Sequence, residues 1–131
     1  MIIATSIEFF KNLAQYDYND EYYDLHNDYD CERIFLEEYI LSLIFKNNTK
    51  NTLVYLTFSN IEITMINFFN FKEIENLTID NIYRGRAEIK GELVEASPNG
   101  KAYFYIDFYE GCTLEFWAEN VELISVKSIS D

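Results

Sequence analysis

The 131-residue chain sets 23 acidic side chains against 10 basic ones, a net charge of −13, in a composition that is 49% hydrophobic and 18% aromatic. That surplus of carboxylates argues against binding nucleic acid or an anionic membrane, since both are met by Lys and Arg. The apolar share excludes general disorder, and the length fits one domain, 1–131, that buries roughly two thirds of its unfolded surface without a metal or disulfide staple.

No run approaches the ~20 apolar residues of a membrane-spanning helix. Met1-Ile2-Ile3-Ala4 lacks the basic and apolar regions of a signal peptide, so the expected compartment is the cytoplasm. There Cys31 and Cys112 stay reduced, and two cysteines without histidine neighbours make no zinc site. No cofactor is expected.

In chain order, residues 5–16 predict a helix. Thr5-Ser6-Ile7-Glu8 matches a capping box, and Ile7, Phe10 and Ala14 fall on one helical stripe with Phe9 and Leu13 beside them. Residues 16–32 hold seven acids, five tyrosines and no Lys or Arg, a local charge of −7. Their periodicity is poor, which predicts a partly irregular segment. Its carboxylates are either solvated or matched by a basic partner. Asp24, His26, Asp28, Asp30 and Glu32 alternate and would share one face if extended, as oxygen ligands of Ca²⁺ or Mg²⁺ could. However, no Gly supplies the sharp turn of a calcium loop, so no metal is assigned.

From residue 33 to 127 the chain reads as an antiparallel β meander. Residues 39–45 alternate with apolar side chains on both faces, and 53–59 and 61–69 are rich in β-branched and aromatic residues. Residues 71–81 suggest a short strand through Leu77 and Ile79. Residues 87–126 predict four consecutive antiparallel strands. Phe104, Ile106 and Phe108 alternate with Tyr103, Tyr105 and Asp107, while Leu114 and Phe116 alternate with Glu115 and Trp117. A three-residue loop 110–112 would pair Phe108 with Leu114, Tyr105 with Trp117 and Asp107 with Glu115. A Ser97-Pro98-Asn99-Gly100 turn would bring Leu93 to Phe104 and Lys90 to Asp107. The expected fold is mainly β: about eight mostly antiparallel strands in a sandwich or partly open barrel, with one N-terminal α-helix.

For chemistry, the single His26 leaves little for a Ser-His-Asp or Cys-His site, and no Gly-rich phosphate loop occurs. Asp107 and Glu115, paired beside Tyr105 and Trp117, would resemble the two carboxylates of a glycosidase. The same row could instead be a binding face, because Tyr and Trp anchor interfaces.

The run Glu37-Glu38-Tyr39-Ile40-Leu41-Ser42-Leu43-Ile44-Phe45, a polar turn, then Thr52-Leu53-Val54-Tyr55-Leu56-Thr57-Phe58-Ser59-Asn60-Ile61, followed by Asn70-Phe71 and Ile79-Asp80, resembles small β-rich immunity proteins of bacterial polymorphic toxin and contact-dependent inhibition systems. The resemblance spans about 37–125. It implies a non-enzymatic cytoplasmic inhibitor of a cognate toxin domain, often a basic nuclease. The contact surface expected on that reading is first the 16–30 window, with Asp17, Asp20, Glu21, Tyr22, Tyr23, Asp24, Asp28, Tyr29 and Asp30, and second the face of Tyr105, Asp107, Glu115 and Trp117. The alternatives are a carbohydrate or small-ligand enzyme using Asp107 and Glu115, and an acidic mimic of DNA.

Overall fold

Side chains that alternate between apolar and polar can bury one face of a sheet and wet the other, and most of this chain follows that pattern. The computed structural model describes residues 1–68 and 76–127. Thirteen strands occur among them: β1 (Ile2–Ile3), β2 (Gln15–Tyr18), β3 (Glu21–Asp24), β4 (Tyr29–Glu37), β5 (Ile40–Asn47), β6 (Thr52–Ser59), β7 (Glu62–Asn67), β8 (Ile79–Gly85), β9 (Ala87–Ile89), β10 (Glu92–Val94), β11 (Ala102–Phe108), β12 (Thr113–Ala118) and β13 (Asn120–Lys127). They form a five-stranded sheet, β1-β13-β6-β5-β4, a four-stranded sheet, β7-β12-β11-β8, and two separate hairpins, β2–β3 and β9–β10. Every strand pair is antiparallel.

The two larger sheets face each other across the core in a sandwich-like arrangement. The five-stranded sheet contributes Leu41, Leu43, Phe45, Val54, Leu56, Phe58, Val121 and Leu123; the four-stranded sheet contributes Ile82, Phe104, Ile106, Leu114 and Phe116. Phe58 joins them, its ring 5.1 Å from Phe104 and 4.9 Å from Phe116. The chain changes sheets twice. After β6, Asn60 takes a φ of 53° and Ile61 N–H donates to Tyr39 O at 3.0 Å. After β12, Glu119 N–H donates to Ser59 O at 3.0 Å and β13 returns to the first sheet.

The strands expected at 39–45 and 53–59 are present as β5 and β6, and β5 is buried on both faces from Leu41 to Phe45. The strand expected at 61–69 is present as β7, with position 69 outside the described residues. Of the short strand expected within 71–81, Ile79 begins β8, which runs on to Gly85, while Leu77 makes only an isolated bridge to Cys31; residues 71–75 lie outside the described residues.

Three expectations are corrected. No α-helix covers 5–16; a single 3-10 turn, Ala4–Ser6, is followed by irregular chain. Phe10 has a φ of 61°, which no right-handed helix accepts. Instead Phe10 N–H donates to Arg84 O at 2.9 Å and Leu13 N–H to Ile82 O at 2.6 Å, so the segment completes the open edge of β8. The Asn12 carboxamide oxygen accepts from Ala14 N–H at 3.0 Å, the local turn bond that competes with helix.

Nor do residues 87–126 form one meander. β11 pairs with β8, β9 pairs only with β10, and β13 lies in the opposite sheet. The predicted turn at Ser97-Pro98-Asn99-Gly100 does form, with Gly100 N–H donating to Ser97 O at 2.8 Å, but it does not bring Leu93 to Phe104. The register between β11 and β12 differs from expectation by two residues: Ile106 faces Leu114, Tyr105 faces Glu115, and Tyr103 faces Trp117.

Candidate partner-binding surface

The outer face of the four-stranded sheet carries the residues that alternate with the core: Tyr83 on β8, Tyr103, Tyr105 and Asp107 on β11, Glu115 and Trp117 on β12, and Thr64 on β7. Gly85 makes part of this face possible. A Cβ there would stand 2.7 Å from Tyr105 Cε1, so the bare backbone admits the Tyr105 ring. That ring stacks on Tyr83 with centroids 4.9 Å apart and planes at 11°. The contacts continue in both directions. Tyr105 meets Tyr103 at 5.2 Å and Tyr103 meets Trp117 at 4.7 Å; Tyr83 meets Phe10 at 6.2 Å and Phe10 meets Phe9 at 6.1 Å. A row of six rings therefore crosses β12, β11 and β8 and runs onto the N-terminal segment.

The β9–β10 hairpin folds over one end of this row. Ala87, Ile89 and Val94 pack against Tyr103, Tyr105 and Trp117, which buries Tyr103 and Trp117 and leaves Tyr105 half-buried. Between the hairpin and β7 lies an open groove of about 470 Å³, bordered by Thr64, Glu88, Ile89, Tyr105 and Glu115 with Tyr103 and Trp117 also lining it.

Glu115 is held within this groove. The Tyr103 hydroxyl donates to Glu115 Oε1 at 2.9 Å, and Thr64 Oγ1 makes a short contact to the same hydroxyl. Thr64 Oγ1 also donates to the Glu115 carbonyl at 3.1 Å. Burial, and then the hydrogen bond and charge of Glu115, push the Tyr103 phenol up to about 12, so it is a donor throughout the physiological range. Burial, then Asp80 and Glu115, raise Asp107 above its ordinary value. Among the described residues the ion pairs are Arg86 with Glu95 and Lys101 with Glu62; neither reaches Glu115, Asp107 or Glu88.

Asp107 and Glu115 are not the direct cross-strand pair expected. Asp107 faces Thr113 and Asn81, and Glu115 faces Tyr105 and Met65. Lys90 is not beside Asp107 either. It occupies the β9–β10 turn with a φ of 51°, because β8, not β9, is the neighbour of β11.

The acidic window 16–32 is partly irregular as expected, with turn or bend residues at 19–20 and 25–28, and the rest forms the β2–β3 hairpin and the start of β4. Asn19 and Asp20, with φ of 51° and 66°, form a two-residue turn between β2 and β3. Tyr18, Tyr23 and Tyr29 are buried, and the Tyr18 hydroxyl donates to Leu13 O at 2.8 Å. Tyr23 and Tyr29, expected at a partner contact, are thus core residues. Asp24 also has a local task. Burial raises its pKa, but bonds from the Asn27 side chain (2.8 Å), the Asn27 N–H (3.0 Å) and Gln15 (3.2 Å) outweigh that and hold it below its ordinary value. Asp30 is half-buried and faces Lys46 across β4 and β5. Asp17, Asp20, Glu21, Tyr22 and Asp28 remain exposed.

A second, more apolar groove of about 620 Å³ lies at the tip of the β4–β5 hairpin, lined by Leu36, Glu38, Tyr39, Ile61, Glu62 and Ile63. The turn here is Glu38-Tyr39, with φ of 48° and 65° and neither residue a glycine. Cys31 and Cys112 are free and buried, and burial pushes the Cys31 thiol up to about 12. Among the described residues no group of three His, Cys, Asp or Glu side chains converges to hold a metal, and no helix is long and apolar enough to cross a membrane.

Four members of the outer face were not among the expected site residues: Tyr83, Tyr103, Thr64 and Phe10. Tyr103 was legible, being two residues before Tyr105 on the same face. Tyr83 required the pairing of β8 with β11. Phe10 required the loss of the helix, because its ring joins the row only from a left-handed backbone position. Comparison of the sequence with protein-family profiles and with curated proteins finds no match.

Proposed function

We propose that the protein is an immunity protein that binds and neutralises a cognate bacterial toxin domain, a basic nuclease or similarly cationic protein, through the outer face of its four-stranded sheet. The observation that carries this reading is the aromatic row with the carboxylates Glu115 and Asp107, which no cation pairs among the described residues. The β9–β10 hairpin covers Tyr103 and Trp117, and beyond it the half-buried Tyr105 and Tyr83 rings continue the row beside the oriented Glu115 carboxylate. Rigid aromatic anchors lose little entropy on binding. The net charge of −13 favours fast association with a basic partner by electrostatic steering. The exposed carboxylates Asp17, Asp20, Glu21 and Asp28 extend that field, and they act by steering rather than by close contact.

The test is affinity capture from the organism that encodes the chain, with elution in a salt gradient and identification by mass spectrometry, followed by co-expression. The expected result is one basic toxin domain retained at moderate salt, whose growth arrest is relieved when this protein is produced with it. If the cognate effector is present but is neither retained nor neutralised, the reading is overturned.

A further inference from the structure

We propose that the groove between β7 and the β9–β10 hairpin receives an arginine side chain of the partner, whose guanidinium meets Glu115 and the exposed part of the Tyr105 ring. This deepens the proposed function and rests on it for the source of the arginine.

A guanidinium needs a planar apolar surface and a carboxylate at its edge. The groove supplies both. Tyr103, Tyr105 and Trp117 provide aromatic surface, and Ile89 provides an apolar rim. The Tyr103 hydroxyl binds Glu115 Oε1 at 2.9 Å and Thr64 supports both groups, so the carboxylate is orientated before any partner arrives. Glu88 adds a second negative charge at the groove's border. Two basic side chains of the four-stranded-sheet side are occupied elsewhere, and Lys90, in the turn next to Ile89, forms no ion pair with Glu115 or Glu88 among the described residues. Lys101 Nζ lies 2.7 Å from Glu62, and Arg86 Nε lies 3.3 Å from Glu95 while its guanidinium sits over Phe9 and Phe10. The Lys101–Glu62 pair marks one limit of the site, since Glu62 stands beside Trp117 in register.

The chain provides its own reporter. Trp117 is the only tryptophan, and it lines the groove. The experiment titrates the full chain with N-acetyl-arginine methylamide and follows tryptophan emission, using N-acetyl-citrulline methylamide as the neutral isostere. The expected result is a saturable change with the arginine probe, at least about tenfold weaker or absent with the citrulline probe. Glu115→Gln should weaken the arginine response about tenfold or more. Glu122→Gln removes a charge on β13, in the opposite sheet, and should leave it unchanged. Matching melting temperatures and near-ultraviolet circular dichroism establish that both variants are folded. Equal responses to the two probes, no saturable response, or an undiminished response in Glu115→Gln would overturn the groove assignment.

The partner experiment separates this from the broader reading. A toxin domain captured equally by wild type and Glu115→Gln would sink the groove assignment and leave the inhibitor reading standing. Arginine binding at the groove, with no toxin neutralised, would do the reverse.

Discussion

Arg84 is a buried cation held without a carboxylate, and replacing it by methionine tests what ties the N-terminal segment to the sandwich. Its Nη1 donates to Thr5 O at 2.9 Å and Ile7 O at 3.0 Å, its Nη2 donates to Glu95 O at 2.9 Å, and its guanidinium lies 4.1 Å from the centre of the Phe9 ring. Desolvation lowers its pKa, and Glu95 offsets only part of that. In Arg84→Met the thioether refills much of the volume, and the exposed Thr5 and Glu95 can give their carbonyls to water. The carbonyl of buried Ile7 cannot readily do so, and an orphaned buried acceptor costs about 1–3 kcal/mol. Loss of the cation over Phe9 adds about 1–2 kcal/mol. Relief from burying the guanidinium, whose Nε has no partner, works in the opposite direction. The expected net loss is about 2–3 kcal/mol, a fall of roughly 1 M or more in the urea midpoint. Hydrogen exchange should quicken at the Phe10 amide, which donates to Arg84 O, before it quickens in β5 or β6. Arg84→Lys should recover only part of the loss, because an ammonium cannot span the carbonyls as a planar fork does. A methionine variant as stable as wild type, with unchanged exchange at Phe10, would refute the reasoning and assign the docking of residues 5–14 to apolar contact alone.

Asp107→Asn should stabilise the protein at pH 7. Burial and its acidic neighbours raise the folded-state pKa, so the favourable contribution of this group is present below its unfolded value of about 3.9 and is lost as pH rises through the folded value. Urea melts at pH 7 and near pH 3.5 check this: the advantage of the variant should shrink at low pH, and a wild type more stable at pH 7 contradicts it. Gly85→Ala should destabilise by about 1–3 kcal/mol and alter the near-ultraviolet circular dichroism, because its Cβ must displace the Tyr105 ring from its stack on Tyr83. Unchanged spectrum and stability would show that the ring is not confined there. Replacing Glu38-Tyr39 by Asn-Gly should raise the melting temperature by a few degrees, since both residues sit in the left-handed region at a cost of about 1 kcal/mol or more each. A calorimetric scan that shows no gain would mean that contacts of Tyr39 offset the strain.

The strands were legible where one face is apolar and the other polar, and the face of each residue from Tyr103 to Trp117 was read correctly. Their pairing was not. A slip of two residues keeps every side chain on its own face, so alternation alone cannot distinguish Tyr105 opposite Trp117 from Tyr105 opposite Glu115. The turn decides, and here Phe108 N–H closes on Cys112 O with Gly111 at a φ of 98°, so the three-residue loop is 109–111, one position earlier than 110–112. The partner of β11 was equally hidden, because contact between β8 and β11 depends on where the β9–β10 hairpin goes. The helix expected at 5–16 was a local signal overridden by tertiary bonds. Twelve residues are marginal for an isolated helix, and the edge of β8 offers Phe10 and Leu13 carbonyl partners that no helix of this segment could supply. In the tyrosine-rich window, Asn19-Asp20 between alternating tyrosines was a hairpin signature masked by the density of charge.

That contrast bears on which surface meets a partner. The acidic window stands out most by composition, yet Tyr18, Tyr23 and Tyr29 are spent on the core, and Asp24 on its own turn. What remains there is charge on a solvated hairpin, which attracts but does not select. On the outer face the situation is inverted. Glu115 has a fixed orientation, an aromatic surround and a hydroxyl donor in place of a cation, while Asp107 nearby is held at a cost to its ionisation. The ionised Asp107 carboxylate weakens the free fold, and a positive group beside it would offset that cost. On the proposed reading, selection between basic partners falls to the groove, where Glu115 is already oriented, and the rate of encounter to the charge of the hairpin.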